Sequence, residues 1–177
     1  DGHLGYAVPI GGVIAYRDAI SPSGVGYDIA CGNKAVLTDM PGTELRARIK
    51  TIMDDVWNTL SFGVGRRNNE SVDHGLFDDL AWKHRAIAPL KQMAVHFGSR
   101  GLGHKTATWF LRAAGSTSDA MDTMPCVIPA TEELGQEYLE CMELAGRYAY
   151  GGRDWVCDRV AKILGASVLE EVHNHHN

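Results

Sequence analysis

Gly24-Val25-Gly26-Tyr27-Asp28-Ile29-Ala30-Cys31-Gly32 sets a carboxylate and a thiol three residues apart among glycines. Glycine opens backbone angles that other residues avoid, so Asp28 and Cys31 can both reach one metal ion. A thiolate can bridge two ions while a carboxylate binds one of them, which suits a binuclear site of a borderline metal such as manganese or zinc. For the pair alone, the simpler reading is a buried Cys beside a turn-capping Asp, because free cysteine is commonly a core residue. The flanking glycines narrow that margin.

Outward from this stretch, residues 6–35 are rich in glycine and small apolar residues. Ile10 and Val13 to Tyr16 read there as buried strand between glycine turns. Lys34 to Thr38 reads as a strand, Pro41-Gly42 as a turn, and Thr43 as the cap of a helix. Leu45, Ile49, Ile52, Val56 and Leu60 keep helical spacing on that helix. Ser61 to Asp73 reads as an exposed loop and Leu76 to Met93 as a second helix. Met93 to Phe97 reads as a short strand, followed by a glycine loop and a helix through Trp109 and Leu111. Past a polar stretch, Thr131 is placed to cap a helix with Leu134, Tyr138, Met142, Ala145 and Tyr148 on one face. Gly151-Gly152 should break or bend it. Helical spacing resumes from Trp155 to Leu164, and Val168 to Val172 reads as a strand delivering the terminal histidines. The pattern predicts an α+β fold with a single domain over residues 1–177.

The composition, 45% hydrophobic and 22% charged over 177 residues, is that of a globular chain able to bury a core. A net charge of −5 argues against a uniformly basic nucleic-acid surface. A nucleic-acid ligand would rely on divalent cations or on short basic clusters such as Arg66-Arg67. Cys31, Cys126, Cys141 and Cys157 form no CxxC pair, so a disulfide framework is not expected. The chain shows no signal peptide and no apolar run of bilayer length, which gives a reducing, cytoplasmic location as the expectation.

Eight histidines are many for this length, and His96 with His104, and His173 with His175 and His176, fall in two clusters. His96 is placed at a strand end before a glycine loop, where folds present ligands, although alone it reads as a structural histidine. Ser99 to Gly103, with Arg100, has the look of a phosphate-cradling loop at a helix start but matches no Walker or Rossmann fingerprint. Along an extended terminus His173 and His175 would face one side and His176 the other, so all three cannot share one ion. Asn174 between the histidines favours native sequence over an affinity tag. His74 and His84 read as surface residues.

Together, Asp1-Gly2-His3-Leu4-Gly5-Tyr6, Pro9-Ile10-Gly11-Gly12-Val13, Gly24 to Gly32, Val95-His96-Phe97-Gly98-Ser99-Arg100-Gly101-Leu102-Gly103-His104 and His175-His176-Asn177 resemble the RtcB family, in type and in order. The resemblance runs from the first residue to the last. It implies an α+β fold with mixed β-sheets around a metal-binding cleft, flanked by helices. It also implies an RNA ligase that uses GTP and two manganese ions. Such an enzyme joins 2′,3′-cyclic phosphate or 3′-phosphate ends to 5′-hydroxyl ends in tRNA splicing or RNA repair. Asp28, Cys31, His96 and His176 match metal ligands of the family, with His173 as the fallback for His176. His3, Ser99 and Arg100 fall in motifs expected to line the substrate or phosphate site, and His104 is read as structural. RNA and GTP are the implied partners, with no membrane, a monomer as the default state, and room for an activating protein.

Three departures qualify that pattern. The chain begins inside a family motif, and Leu90-Lys91-Gln92 runs almost directly into Met93, where the family has a Gly-Asn-His-Phe motif carrying a ligand of the other metal. It also stops before the region that holds the guanylylated histidine, so no residue here takes that role. The expectation is an incomplete catalytic domain, lacking its N-terminal start, a segment near 90–95 and its C-terminal region. The competing readings are a metal-binding relative without ligase activity and a metal-dependent phosphohydrolase, in which the same ligands activate water.

Overall fold

Two antiparallel ladders bring distant parts of the sequence together around the glycine-rich stretch. The structure, a computed structural model, describes residues 5, 7–63, 66–96, 101–116 and 124–175. β1 (Ala19–Ile20) pairs with β3 (Ile128–Pro129), and β2 (Gly32–Thr38) pairs with β4 (Val168–His175). The second ladder sets Gly32 opposite His175 and Lys34 opposite His173, with an irregularity between Leu37 and Thr38. Both strands of this ladder fall where sequence alternation places them. The expected mixed sheets do not occur among the described residues, where both sheets are two-stranded and antiparallel.

The helices form because apolar residues recur at helical spacing and find partners. α1 (Pro22–Val25) is one turn, with Pro22 at its start and Ser21 Oγ accepting the Gly24 N–H at 3.1 Å. α2 (Gly42–Thr59) starts from Pro41 instead of Thr43, and buries Ile52 and Val56. With Leu60 these residues form a satellite core against Trp155, Val160, Ile163 and Leu164. α3 (Lys91–Ala94) is a single turn, and α4 (Gly101–Ala113) buries Leu102, Thr106, Ala107, Phe110 and Leu111. α5 (Glu133–Leu164) is continuous for 32 residues, a span of about 48 Å. Its buried face, Tyr138, Cys141, Leu144, Ala145 and Tyr148, joins Phe110 and Leu111 in the main core.

Four segments differ from the sequence-based expectation. In place of one helix over residues 76–93, three 3-10 turns (Gly75–Asp78, Leu80–Lys83 and Ala88–Leu90) precede α3, because His74 Nδ1, Asp79 Oδ1 and His84 Nδ1 accept the N–H groups of Leu76, Ala81 and Ala86 and restart the chain each time. Residues 93–96 are not a strand: Val95 and His96 donate backward to Lys91 and Met93 in a turn that ends α3. Val13 to Tyr16 has no ladder and is not buried, with Val13 96% exposed. Gly151-Gly152 does not break α5, since tertiary packing offsets a helical cost of about 1 kcal/mol per glycine. Among the described residues, no helix is long and apolar enough to cross a membrane.

Candidate metal centre

The Asp28–Cys31 segment is a tight turn, closed by the Cys31 N–H donating to the Asp28 carbonyl at 2.8 Å. Gly26 (φ 81°) redirects the chain out of α1, and Ala30 (φ 56°) takes a left-handed angle inside the turn. For a residue with a Cβ that angle costs on the order of 1 kcal/mol, so the surroundings must hold it. Tyr27, Ile29 and Ala30 are buried and anchor the turn, while Asp28 and Cys31 stay half-buried. α4 packs directly against the turn: a Cβ on Gly103 would lie 2.9 Å from the Tyr27 carbonyl oxygen and 3.1 Å from the Ile29 nitrogen. Asp28 and Cys31 line two cavities, one of about 400 Å³ shared with Pro9 to Gly12 and one of about 480 Å³ shared with Lys34, Arg153 and Cys157. A third, of about 810 Å³, reaches Ile29 and Ala30 from the side of His74, Arg147 and His175.

Behind the turn lies a polar network that sequence reading did not find. Lys34, with its side chain only 6% exposed, makes ion pairs with Asp154 at 2.6 Å and Glu171 at 2.9 Å. Hydrogen bonds donated to these carboxylates hold the ammonium well above its ordinary range, against the opposing effect of desolvation. Arg153 donates from Nη1 to the Ala30 carbonyl and from Nε to His173 Nε2, both at 2.8 Å. His173 Nδ1 lies 3.3 Å from Asp154, and Tyr150 contacts both the His173 ring and, through its hydroxyl, His175 Nδ1 at 2.7 Å. The hint in the sequence was a charged residue on the inward face of α5, four residues after Ala149 and eight after Ala145.

Because Nε2 accepts from Arg153, His173 is held neutral with its proton on Nδ1. Desolvation first, then the Arg153 charge, depress its proton affinity below the ordinary value of 6.5. The unfolded chain then binds the proton first, so the stability this histidine contributes is present above about pH 6.5 and is lost as pH falls below it. The thermal midpoint should therefore drop between about pH 7.5 and about pH 5.5, and His173→Gln should reduce that slope. An unchanged slope in the variant would show that His173 does not carry it.

The structure places the candidate ligands unevenly. Asp28 and Cys31 share one turn, and the register of β2 and β4 sets His175 opposite Gly32, the residue after Cys31. His96 follows α3, with Nδ1 3.1 Å from the Glu70 carbonyl oxygen, and its own carbonyl accepts the Asn68 side chain. It does not line the three cavities around the turn. Among the described residues no three His, Cys, Asp or Glu side chains gather as a metal-holding group. His3, Ser99, Arg100 and His176 lie outside the described residues. His104 rests its ring on Tyr27, at 4.9 Å between centroids. His74 is exposed as expected, but His84 is not a surface residue: its side chain is 12% exposed and it stacks on Phe110. None of the four cysteines forms a disulfide.

These features define an α+β chain with a carboxylate-thiol turn beside a part-buried network of charged side chains. The family model described as tRNA-splicing ligase RtcB matches it in two blocks, residues 1–94 and 91–177. The chain belongs to the RtcB family. It is 41% identical to the tRNA-splicing ligase RtcB of Aeropyrum pernix, over 98% of this chain and 56% of that protein. It is 25% identical to the protein of the same name from Thermococcus kodakarensis, over 88% of this chain and 49% of that one. It is also 24% identical to the RNA-splicing ligase RtcB homolog 2 of Entamoeba dispar, over 88% of this chain and 45% of that protein. The chain spans about half the length of the curated relatives it matches.

Proposed function

We propose that this chain forms the metal-binding part of an RNA ligase that uses GTP and manganese. It would join RNA 2′,3′-cyclic phosphate or 3′-phosphate ends to 5′-hydroxyl ends. The observation that carries this reading is the Asp28–Cys31 turn, lining two cavities beside the strand pair whose last register position is Gly32 with His175. A carboxylate and a thiol on one rigid turn are a donor set suited to a borderline divalent metal. Bound manganese would supply positive charge for phosphate oxygens in a chain whose net charge is −5. Asp28 and Cys31, on one tight turn, are the proposed donors, and His96 and His176 are assigned beside them by the family motif. The engagement of both His173 ring nitrogens, with Arg153 and Asp154, supports His176 over His173.

His3, Ser99 and Arg100 are assigned to the RNA or nucleotide phosphate, for which a bidentate guanidinium is the natural partner. Four cysteines without a disulfide fit a reducing compartment, and the cytoplasm is the assigned location, with a monomer as the working state. Two measurements test the reading. Full-length protein incubated with manganese and radiolabelled GTP should acquire covalent GMP, and its absence in metal-loaded protein would overturn the ligase assignment. Cys31→Ala should lower retained manganese after dialysis by more than about tenfold, the scale on which even indirect support of a ligand matters. Retention at the wild-type level would remove Cys31 from the ligand set.

A further inference from the structure

We propose that Arg153 is the positioning residue of the metal turn: its guanidinium clamps the Ala30 carbonyl and β4 together and so holds in place the turn that carries Asp28 and Cys31. The inference rests on the reading of that turn as a metal site and assigns a second, non-ligand component to it. Ala30 is the one residue between Asp28 and Cys31 with a left-handed backbone angle, φ 56°, and its carbonyl accepts from Arg153 Nη1 at 2.8 Å. The same planar group donates from Nε to His173 Nε2 on β4 at 2.8 Å. Guanidinium donors diverge at fixed angles, so one side chain fixes the spacing between turn and strand, which a lysine with a single nitrogen cannot do.

The surroundings hold the clamp itself in place. The guanidinium carbon lies 4.6 Å from the centroid of the Tyr150 ring, and Asp154 and Lys34 complete the network on the far side. The third nitrogen, Nη2, is fully buried and has no hydrogen-bond partner among the described residues, an arrangement that costs stability. A residue selected only to stabilise α5 would not bury that atom unpaired. What the arrangement secures is geometry. Residues 123 positions apart, Ala30 and Arg153, are locked together, and β4 is tied to the same point two residues before His175 meets Gly32.

The test is manganese titration of the protein by electron paramagnetic resonance, with amide hydrogen exchange at Cys31 read on metal-free protein. Arg153→Met should weaken manganese binding about 10-fold to 100-fold, the range for loss of a group that orients ligands. It should also speed exchange of the Cys31 N–H, which closes the turn on Asp28. Arg153→Lys keeps the charge and the stem, guards against a folding failure, and should show the same two changes in weaker form. Wild-type manganese affinity in both variants, in a background where Cys31→Ala loses the metal, would overturn the role of Arg153. If Cys31→Ala retains the metal, the metal reading fails instead. The Arg153 clamp is then judged by exchange alone, where an unchanged Cys31 rate in both variants would overturn it.

Discussion

Gly32→Ala is expected to pry β2 from the end of β4 and to lose manganese binding while the helical core stays folded. A Cβ at position 32 would lie 2.1 Å from the Asn174 carbonyl oxygen and 2.6 Å from the His175 Cα. Both are backbone atoms, so neither can rotate aside as a side-chain end would, and the strands themselves must separate. Overpacking of this kind costs about 3 kcal/mol, at the upper end of the usual range. The displacement falls at the register pair Gly32 and His175, immediately after Cys31, so it acts on the spacing between the proposed donor turn and the terminal histidines. Denaturant midpoints should fall, and manganese titration should show a loss larger than the stability change alone explains. A variant that melts and binds like the wild type would mean that the two backbones are not in this close contact.

How much of this was legible beforehand depends on the range of the interactions involved. β2, β4, α2 and most of α5 follow from local periodicity, because their apolar residues recur at the spacing of the element that buries them. Residues 76–93 misled for a local reason of a different kind. His74, Asp79 and His84 each use the side chain to accept a nearby N–H, and this competition with the helix is invisible to a count of apolar spacing. Of the break or bend expected at Gly151-Gly152, the break does not occur, because the glycine cost is local while the packing that offsets it comes from distant elements such as α2 and β2. The turn at Asp28–Cys31 was readable because three glycines crowd around it in sequence. Arg153 was not, since its partners Ala30 and His173 lie 123 and 20 positions away. His84, taken as a surface residue, is covered by Trp109 and Phe110, which only the packing of α4 reveals.

That packing sets the second large expectation: Phe110→Ala should cost about 3–5 kcal/mol, the range for removing a large aromatic from a filled core. Phe110 is 0% exposed, and its ring meets Trp109 at 4.7 Å, Tyr138 at 5.2 Å and His84 at 5.2 Å between centroids. Its neighbours Tyr138 and Leu111 are themselves fully buried, so filling the space would disturb contacts they already make. Against a native stability of about 5–15 kcal/mol, this loss is a large fraction, and it corresponds to a melting point roughly 10 °C lower. The effect also reaches the site. α4 carries Gly103 at one end, against the Tyr27 carbonyl, and Phe110 two turns further on, so the core contact and the turn contact share one helix. Phe110→Leu, which leaves a smaller cavity, should cost clearly less, and the difference between the two variants in urea denaturation isolates the cavity. A loss below about 1 kcal/mol for the alanine variant would show that Phe110 does not anchor α4, and that the turn is held from α5 and β4 alone.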